Sequence, residues 1–133
     1  MKRYLLDTNI VSHLLRGHPG VMQRIEAVPM AGLSISAITE GELLFGLAKR
    51  PAATRLQQLV KAFLHRVDVL PWNSQVAACY GTMRAELSSQ GKVIAPLDLL
   101  IAAHALSVNA VLVTNDQAFR QIDRLLLEDW TSP

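Results

Sequence analysis

Short apolar runs alternate with longer stretches whose apolar residues recur at helical spacing, and the alternation predicts strands separated by helices. Tyr4-Leu5-Leu6 reads as a buried strand ending at Asp7, and residues 8–16 follow as a helix with Ile10, Val11, Leu14 and Leu15 on one face. The breaker Gly17-His18-Pro19-Gly20 separates this helix from a short one over 21–27. Leu33-Ser34-Ile35 predicts a second strand. A helix starting at Ser36 or Thr39 then runs through Leu47 until Lys49-Arg50-Pro51 stops it. An amphipathic helix over 52–65 leads to a strand over 67–70. Residues 75–90 form a long helix closed by Gly91. Pro96 is placed to begin the helix carrying Asp98. Residues 110–113 predict another buried strand and 125–127 an edge strand. Strands apolar on both faces, alternating with helices, predict an α/β fold with a parallel sheet covered on both sides.

Bulk properties narrow the class. The chain has 133 residues and a mass of 14.6 kDa, the size of one domain, and no linker or low-complexity segment divides residues 1–133. Half the residues are hydrophobic and the mean hydropathy is +0.24. So apolar a balance in a small domain points to surface reserved for another chain, a second copy or an obligate partner. The strand begins directly behind Met1-Lys2-Arg3, so a signal peptide is not expected. The most apolar helical stretch, 97–108, contains Asp98 and His104 and is too short to span a bilayer. Cys79 is the only cysteine, which leaves no internal disulfide and reads as a small buried hydrophobe. A cytoplasmic protein is the expectation. A net charge of +2 with pI near 9.0 is compatible with a polyanionic substrate. Lys49, Arg50, Arg55, Lys61 and Arg66, with Arg84 and Lys92 further on, form either an ordinary solvated surface or a face for that polyanion.

The acids carry the candidate chemistry. Ligands of an open α/β sheet bind beyond the carboxyl ends of its strands, and Asp7 and Asp116 each follow a predicted strand. Asp98 lies just inside a helix that starts at the same edge. Glu42 is about two turns into the helix after the second strand, with Gly46 one turn on to permit close approach. Carboxylates gathered in one crevice repel, and a hard divalent cation removes the conflict. Such a centre can activate water for attack on phosphorus and support the leaving oxygen. Each acid also has a plainer role: Asp7 as a helix cap, Asp98 against a helix dipole, Glu42 on a solvated face, Asp116 in a turn. Asp7 and Asp98 stand among apolar residues, where a carboxylate needs a partner. Glu40 is about 200° around the helix from Glu42, so it is assigned to the rim.

Other residues add less. His104 reads as a satisfied core or interface histidine, and His13, His18 and His65 lack metal-ligand spacing. Trp72 and Trp130 are expected to pack rather than stack on bases. Thr8 and Thr114 are placed to hydrogen-bond the acids or a bound water, or to cap strand ends. No Ser-His-Asp order, CxxC, HExxH or Gly-rich phosphate loop competes.

Leu5-Leu6-Asp7-Thr8-Asn9 resembles the opening motif of PIN-domain proteins, particularly VapC-type toxins of bacterial toxin–antitoxin pairs. Ile35-Ser36-Ala37-Ile38-Thr39 with Glu42-Leu43 and Gly46 is similar to their second motif. Arg84-Ala85-Glu86-Leu87, Gly91 and the run from Pro96 to Ala105 resemble the third, and Leu112-Val113-Thr114-Asn115-Asp116 with Glu128-Asp129-Trp130 the closing segment. The resemblance implies a three-layer PIN fold and an endoribonuclease dependent on Mg²⁺ or Mn²⁺. It places the metal site on Asp7, Glu42, Asp98 and Asp116, with Thr8, Asn9 and Thr114 supporting and Asp116 the most variable position. It also implies a homodimer, a VapB-like antitoxin able to build a larger hetero-oligomer, and RNA substrates that include transfer RNA anticodon loops.

Two other classes remain to be told apart. A phosphatase with Asp7 as covalent nucleophile would want a second Asp soon after it and a partner lysine, and neither is evident. A non-catalytic binding module would not need the complete acidic set.

Overall fold

The computed structural model describes residues 2–133. The first apolar run forms β1 (Tyr4–Leu6), followed by α1 (Thr8–Leu15) and α2 (Pro19–Ala27). Next come β2 (Leu33–Ser36), α3 (Ala37–Ala48), α4 (Thr54–Arg66) and β3 (Asp68–Leu70). The remainder is α5 (Ser74–Ser89), α6 (Pro96–Ser107), β4 (Val111–Val113) and β5 (Leu127–Glu128), with a 3-10 turn at Gln117–Gln121 before β5. The five strands are all parallel, in the order β3-β2-β1-β4-β5.

Alternation along these short strands splits the core into two layers. Leu5 and Leu112, paired across β1 and β4, face α5 and α6 with Val76, Met83, Leu87 and Ile101. Leu6, Ile35 and Val113 face the other way, against Ile10, Val11, Val21 and Val60 of α1, α2 and α4. The architecture is therefore three layers, helices on both sides of a parallel sheet. Helix α6 is buried on nearly every side, from Ile101 through Ala105, which explains why its sequence is apolar all round.

Helix ends follow local chemistry. Gly91 has φ +68° and closes α5, with Lys92 N donating to Leu87 O at 2.9 Å and Gly91 N to Ser88 O at 3.1 Å. Several boundaries differ from expectation. Helix α2 starts at Pro19 rather than Val21, because proline suits the first helical position and His18 Nδ1 accepts the Val21 N–H at 3.2 Å. The edge strand is Leu127–Glu128, not 125–127, since Leu125 turns inward to the core. Cys79 is half-buried on α5 rather than a core residue. Among the described residues, no helix is long and apolar enough to cross a membrane.

The topology also locates a crevice. From β1 the chain adds β2 and then β3 outward, and α5 and α6 then bring it back across the sheet to β4. Winding reverses between β1 and β4, the place where open α/β sheets bind ligands at their carboxyl edge.

Candidate active site

Asp7 is the first residue after β1 and serves two purposes at once. Its Oδ1 accepts the Thr8 N–H at 2.8 Å, capping α1, and its Oδ2 accepts the Thr114 hydroxyl at 2.8 Å. Only 4 % of it is exposed. Thr114, the residue after β4, also accepts the Asp116 N–H at 3.1 Å. Asp116 Oδ1 accepts the Ala118 N–H at 2.9 Å and so starts the 3-10 turn, the turn role that its position suggested. On the other side, Thr8 Oγ1 donates to Glu42 Oε1 at 2.6 Å and lies 3.3 Å from the buried Thr39 Oγ1. Asp7, Glu42 and Asp116 are thus linked through two threonines.

Asp98 sits in the first turn of α6, half-buried, with no hydrogen bond among the described residues. Burial pushes its carboxyl up to about 6, and the charges of Asp7, Asp116 and Glu42 add to the rise. Asp7 is also raised, first by burial and then by Glu42 and Asp116, while the Thr114 and Thr8 hydrogen bonds pull it down. The four acids therefore share one electrostatic environment. Glu40 takes no part in the hydrogen bonds around Glu42. Asn9 is exposed on α1 and makes no side-chain hydrogen bond to these acids.

No three acids, histidines or cysteines among the described residues close on a single point as a ready-made cage. The donors are nevertheless all carboxylate oxygens, and their mutual repulsion is the kind a divalent cation relieves. Mg²⁺ typically takes one or two carboxylates and keeps several waters, which suits an open arrangement of this kind.

Gly46 does not bring two backbones together. A methyl group built on it would meet nothing within 4 Å, because it borders an open groove. That groove, about 270 Å³, runs from Thr8 and Glu42 between α1 and α4 and is rimmed by Arg16 and Arg50. Leu15 also lines a second, apolar hollow of about 320 Å³ with Leu14, Ile25, Met30, Ala62 and Phe63. On the opposite flank of Glu42, Phe45 and Leu97 are exposed at 63 % and 47 %. Lys49, Arg50, Arg55, Lys61 and Arg66 are all exposed, and none has a salt-bridge partner among the described residues.

Thr39, Ser36 and Arg16 join the acids as neighbours that strand-end position and helix phase do not single out. A threonine on the buried face of an apolar helix, inside the second motif, is the signal that marks Thr39. The aromatic expectation fits the structure: Trp130 is buried, and Trp72 donates its indole N–H to Leu100 O at 3.0 Å. His18 is a helix cap, and His13 Nε2 lies 3.3 Å from Asn115 Nδ2, so neither joins the acids. His104 is fully buried, but only half satisfied: Nδ1 lies 2.7 Å from Ser36 Oγ, and Nε2 has no partner among the described residues.

The PIN domain family matches residues 4–125, which takes in every strand from β1 to β4 and all four acids. The chain belongs to the PIN-domain family. Within it, this PIN domain is 35% identical to the ribonuclease VapC2 of Rickettsia felis, over 96% of the chain and 97% of that relative. It is 33% identical to the tRNA(fMet)-specific endonuclease VapC of Shigella flexneri, over 98% and 100%. Its structure is similar to a DNA-bound VapBC from Salmonella typhimurium, with a TM-score of 0.90, 35% identity, and coverage of 98% of this chain and 99% of that one. It is thus a VapC-type PIN domain, with the three-layer fold of solved VapBC proteins.

Proposed function

We propose that this PIN domain is the toxin of a type II toxin–antitoxin pair, an endoribonuclease hydrolysing RNA phosphodiester bonds with Mg²⁺ or Mn²⁺. The observation that carries the reading is the placement of the acids at the sheet's switch point, with Asp7, Glu42 and Asp116 linked through Thr8 and Thr114 and Asp98 in the first turn of α6. Asp7, Asp98, Glu42 and Asp116 would hold the cation. When bound it neutralises phosphate charge, activates a water and supports the leaving oxygen.

The chain's own residues orient that set. Thr114 and the Thr8 N–H fix the two oxygens of Asp7, and Thr8 Oγ1 fixes Glu42. Asp116 is committed to a backbone turn, so its replacement should have the mildest effect. Thr114→Val removes both the donor to Asp7 and the acceptor for the Asp116 N–H. It is expected to lower cleavage about tenfold and to raise the metal concentration needed for half-maximal rate. Metal titrations of initial rate check this.

The unpaired cations beside the groove suit an RNA backbone, and a structured RNA such as a transfer RNA anticodon loop is the proposed substrate class. A VapB-like antitoxin would lay an amphipathic segment over the groove at Glu42 and the neighbouring apolar hollow, which share Leu15. Exposed Leu44, Phe45 and Leu97 are the surface we assign to a second copy, with larger hetero-oligomers built on that dimer. Ala62 is exposed on α4 and lines the hollow. Ala62→Glu should weaken antitoxin binding about tenfold, as calorimetry would record.

The test is cleavage of RNA by the purified chain with EDTA and with Mg²⁺ or Mn²⁺ restored. Cleavage that the chelator stops and the cation restores is the expected result. Release of phosphate from small esters without RNA cleavage would favour the phosphatase instead.

A further inference from the structure

Asp98 is the one acid of the four that nothing holds directly. Asp7, Glu42 and Asp116 each accept a hydrogen bond, from Thr114 and Thr8 N, from Thr8 Oγ1, and from Ala118 N. Asp98 accepts none among the described residues, so its position depends on where α6 lies. Six residues on, about 9 Å along the same helix, is His104. Its ring is fully buried, and Nδ1 lies 2.7 Å from Ser36 Oγ, the strand-end residue that caps α3 by accepting the Ile38 N–H at 3.1 Å. Helix α3 carries Glu42 and Thr39.

We infer that the buried His104–Ser36 hydrogen bond is a tie that sets the spacing of Asp98 from Glu42, making His104 a positioning residue for the metal centre. The inference rests on the metal-dependent reading above. The bond joins residues 68 apart in sequence and links the end of β2 directly to α6. The buried Nε2 is unpartnered, so the ring is held at a cost that its single bond, to the buried Ser36 hydroxyl, offsets. Retaining the imidazole makes sense if the Nδ1 contact is what matters. Burial also lowers the ring's pKa, which keeps it neutral and leaves Ser36 free to bond Nδ1 in either tautomer.

The test combines binding of Mn²⁺ alone, followed by electron paramagnetic resonance, with kcat and KM for RNA. Parent, His104→Leu, His104→Asn, Ser36→Ala and the Leu/Ala double variant are compared. His104→Leu and Ser36→Ala should each weaken Mn²⁺ binding and lower kcat by about tenfold, with KM for RNA little changed. The double variant should be no worse than Ser36→Ala, which already removes the His104–Ser36 bond together with the α3 cap. Asparagine places a polar atom near the position of Nδ1, so His104→Asn should recover most of the Mn²⁺ affinity. If His104→Leu does not fold, Ser36→Ala against His104→Asn decides the matter alone. Parent-like Mn²⁺ affinity and kcat in folded Ser36→Ala would overturn the tie. So would equal losses in His104→Leu and His104→Asn. A parent that binds no Mn²⁺ would instead defeat the metal-centre reading on which the tie depends.

Discussion

Asp98→Asn should reduce RNA cleavage by about 10³-fold or more while making the metal-free protein more stable at neutral pH. The two effects have one cause. Asp98 is half-buried beside three other acids, and its carboxyl is pushed up to about 6, first by burial and then by Asp7, Asp116 and Glu42. An unfolded chain would ionise it near the ordinary value of about 3.9. Between those two values the folded state binds more protons than the unfolded one. Metal-free stability therefore falls as pH rises from about 4 to 6 and stays reduced above it. Asparagine removes the charge and with it this loss. Because the side chain is partly open to solvent, the gain at pH 7.5 should be about 1 kcal/mol or less, a rise of roughly 3 °C in Tm. Below pH 4 the two proteins should melt together. Added Mg²⁺ should stabilise the parent and leave Asp98→Asn nearly unmoved, since only a bound ligand shifts the folding equilibrium. Scanning calorimetry across this pH range, with and without Mg²⁺, checks each part.

Asp7→Asn should lose cleavage by about 10²-fold or more and still fold, whereas Asp7→Ala should lose both activity and stability. Asparagine caps a helix as well as aspartate does, so its Oδ1 can go on accepting the Thr8 N–H. The Thr114 hydroxyl, now a donor to Oδ2, can rotate to accept from the new amide. Fold and cap survive, and the negative charge is lost. Alanine strips the cap and leaves the buried Thr114 hydroxyl without Asp7, at a cost of about 1–3 kcal/mol. Denaturant unfolding of the two variants separates the structural part of Asp7 from the chemical part. Cleavage by Asp7→Asn at the parent's rate would remove Asp7 from the proposed centre.

The layered sheet was legible because its signals are local. Tyr4–Leu6 and Val111–Val113 are short apolar runs, each followed by a polar residue, Asp7 and Thr114, that the parallel topology brings to one edge, and β2 itself ends on Ser36. Leu125-Leu126-Leu127 carries the same signal and misleads. Leu125 N donates to Ile122 O at 3.1 Å in a turn, Leu126 O accepts from Leu112 N of β4 at 2.9 Å, and the paired register starts at Leu127. His18-Pro19 reads as a breaker when helix spacing alone is considered. It is in fact a cap and a first helical residue. Gly46 suggested a close approach that the fold does not make, since glycine in a sequence does not say what stands opposite.

At the site, single positions could be read from the sequence but their connections could not. Strand ends pointed to Asp7 and Asp116, and helix phase separated Glu42 from Glu40. That one threonine serves Asp7 and Asp116 while another serves Glu42 depends on the strand order β2-β1-β4. The His104–Ser36 bond depends on how α6 crosses the sheet, which no local pattern encodes.

The most direct measurement is a titration of metal-free protein with Mn²⁺ in which bound metal and RNA cleavage are followed together in the parent, Asp7→Asn and Asp98→Asn. Cleavage should rise in step with Mn²⁺ occupancy in the parent, and both should be lost in the two variants while each remains folded. Cleavage by the parent in the presence of EDTA, or parent-like Mn²⁺ binding in both variants, would contradict a cation held at the carboxyl edge of β1 and β4.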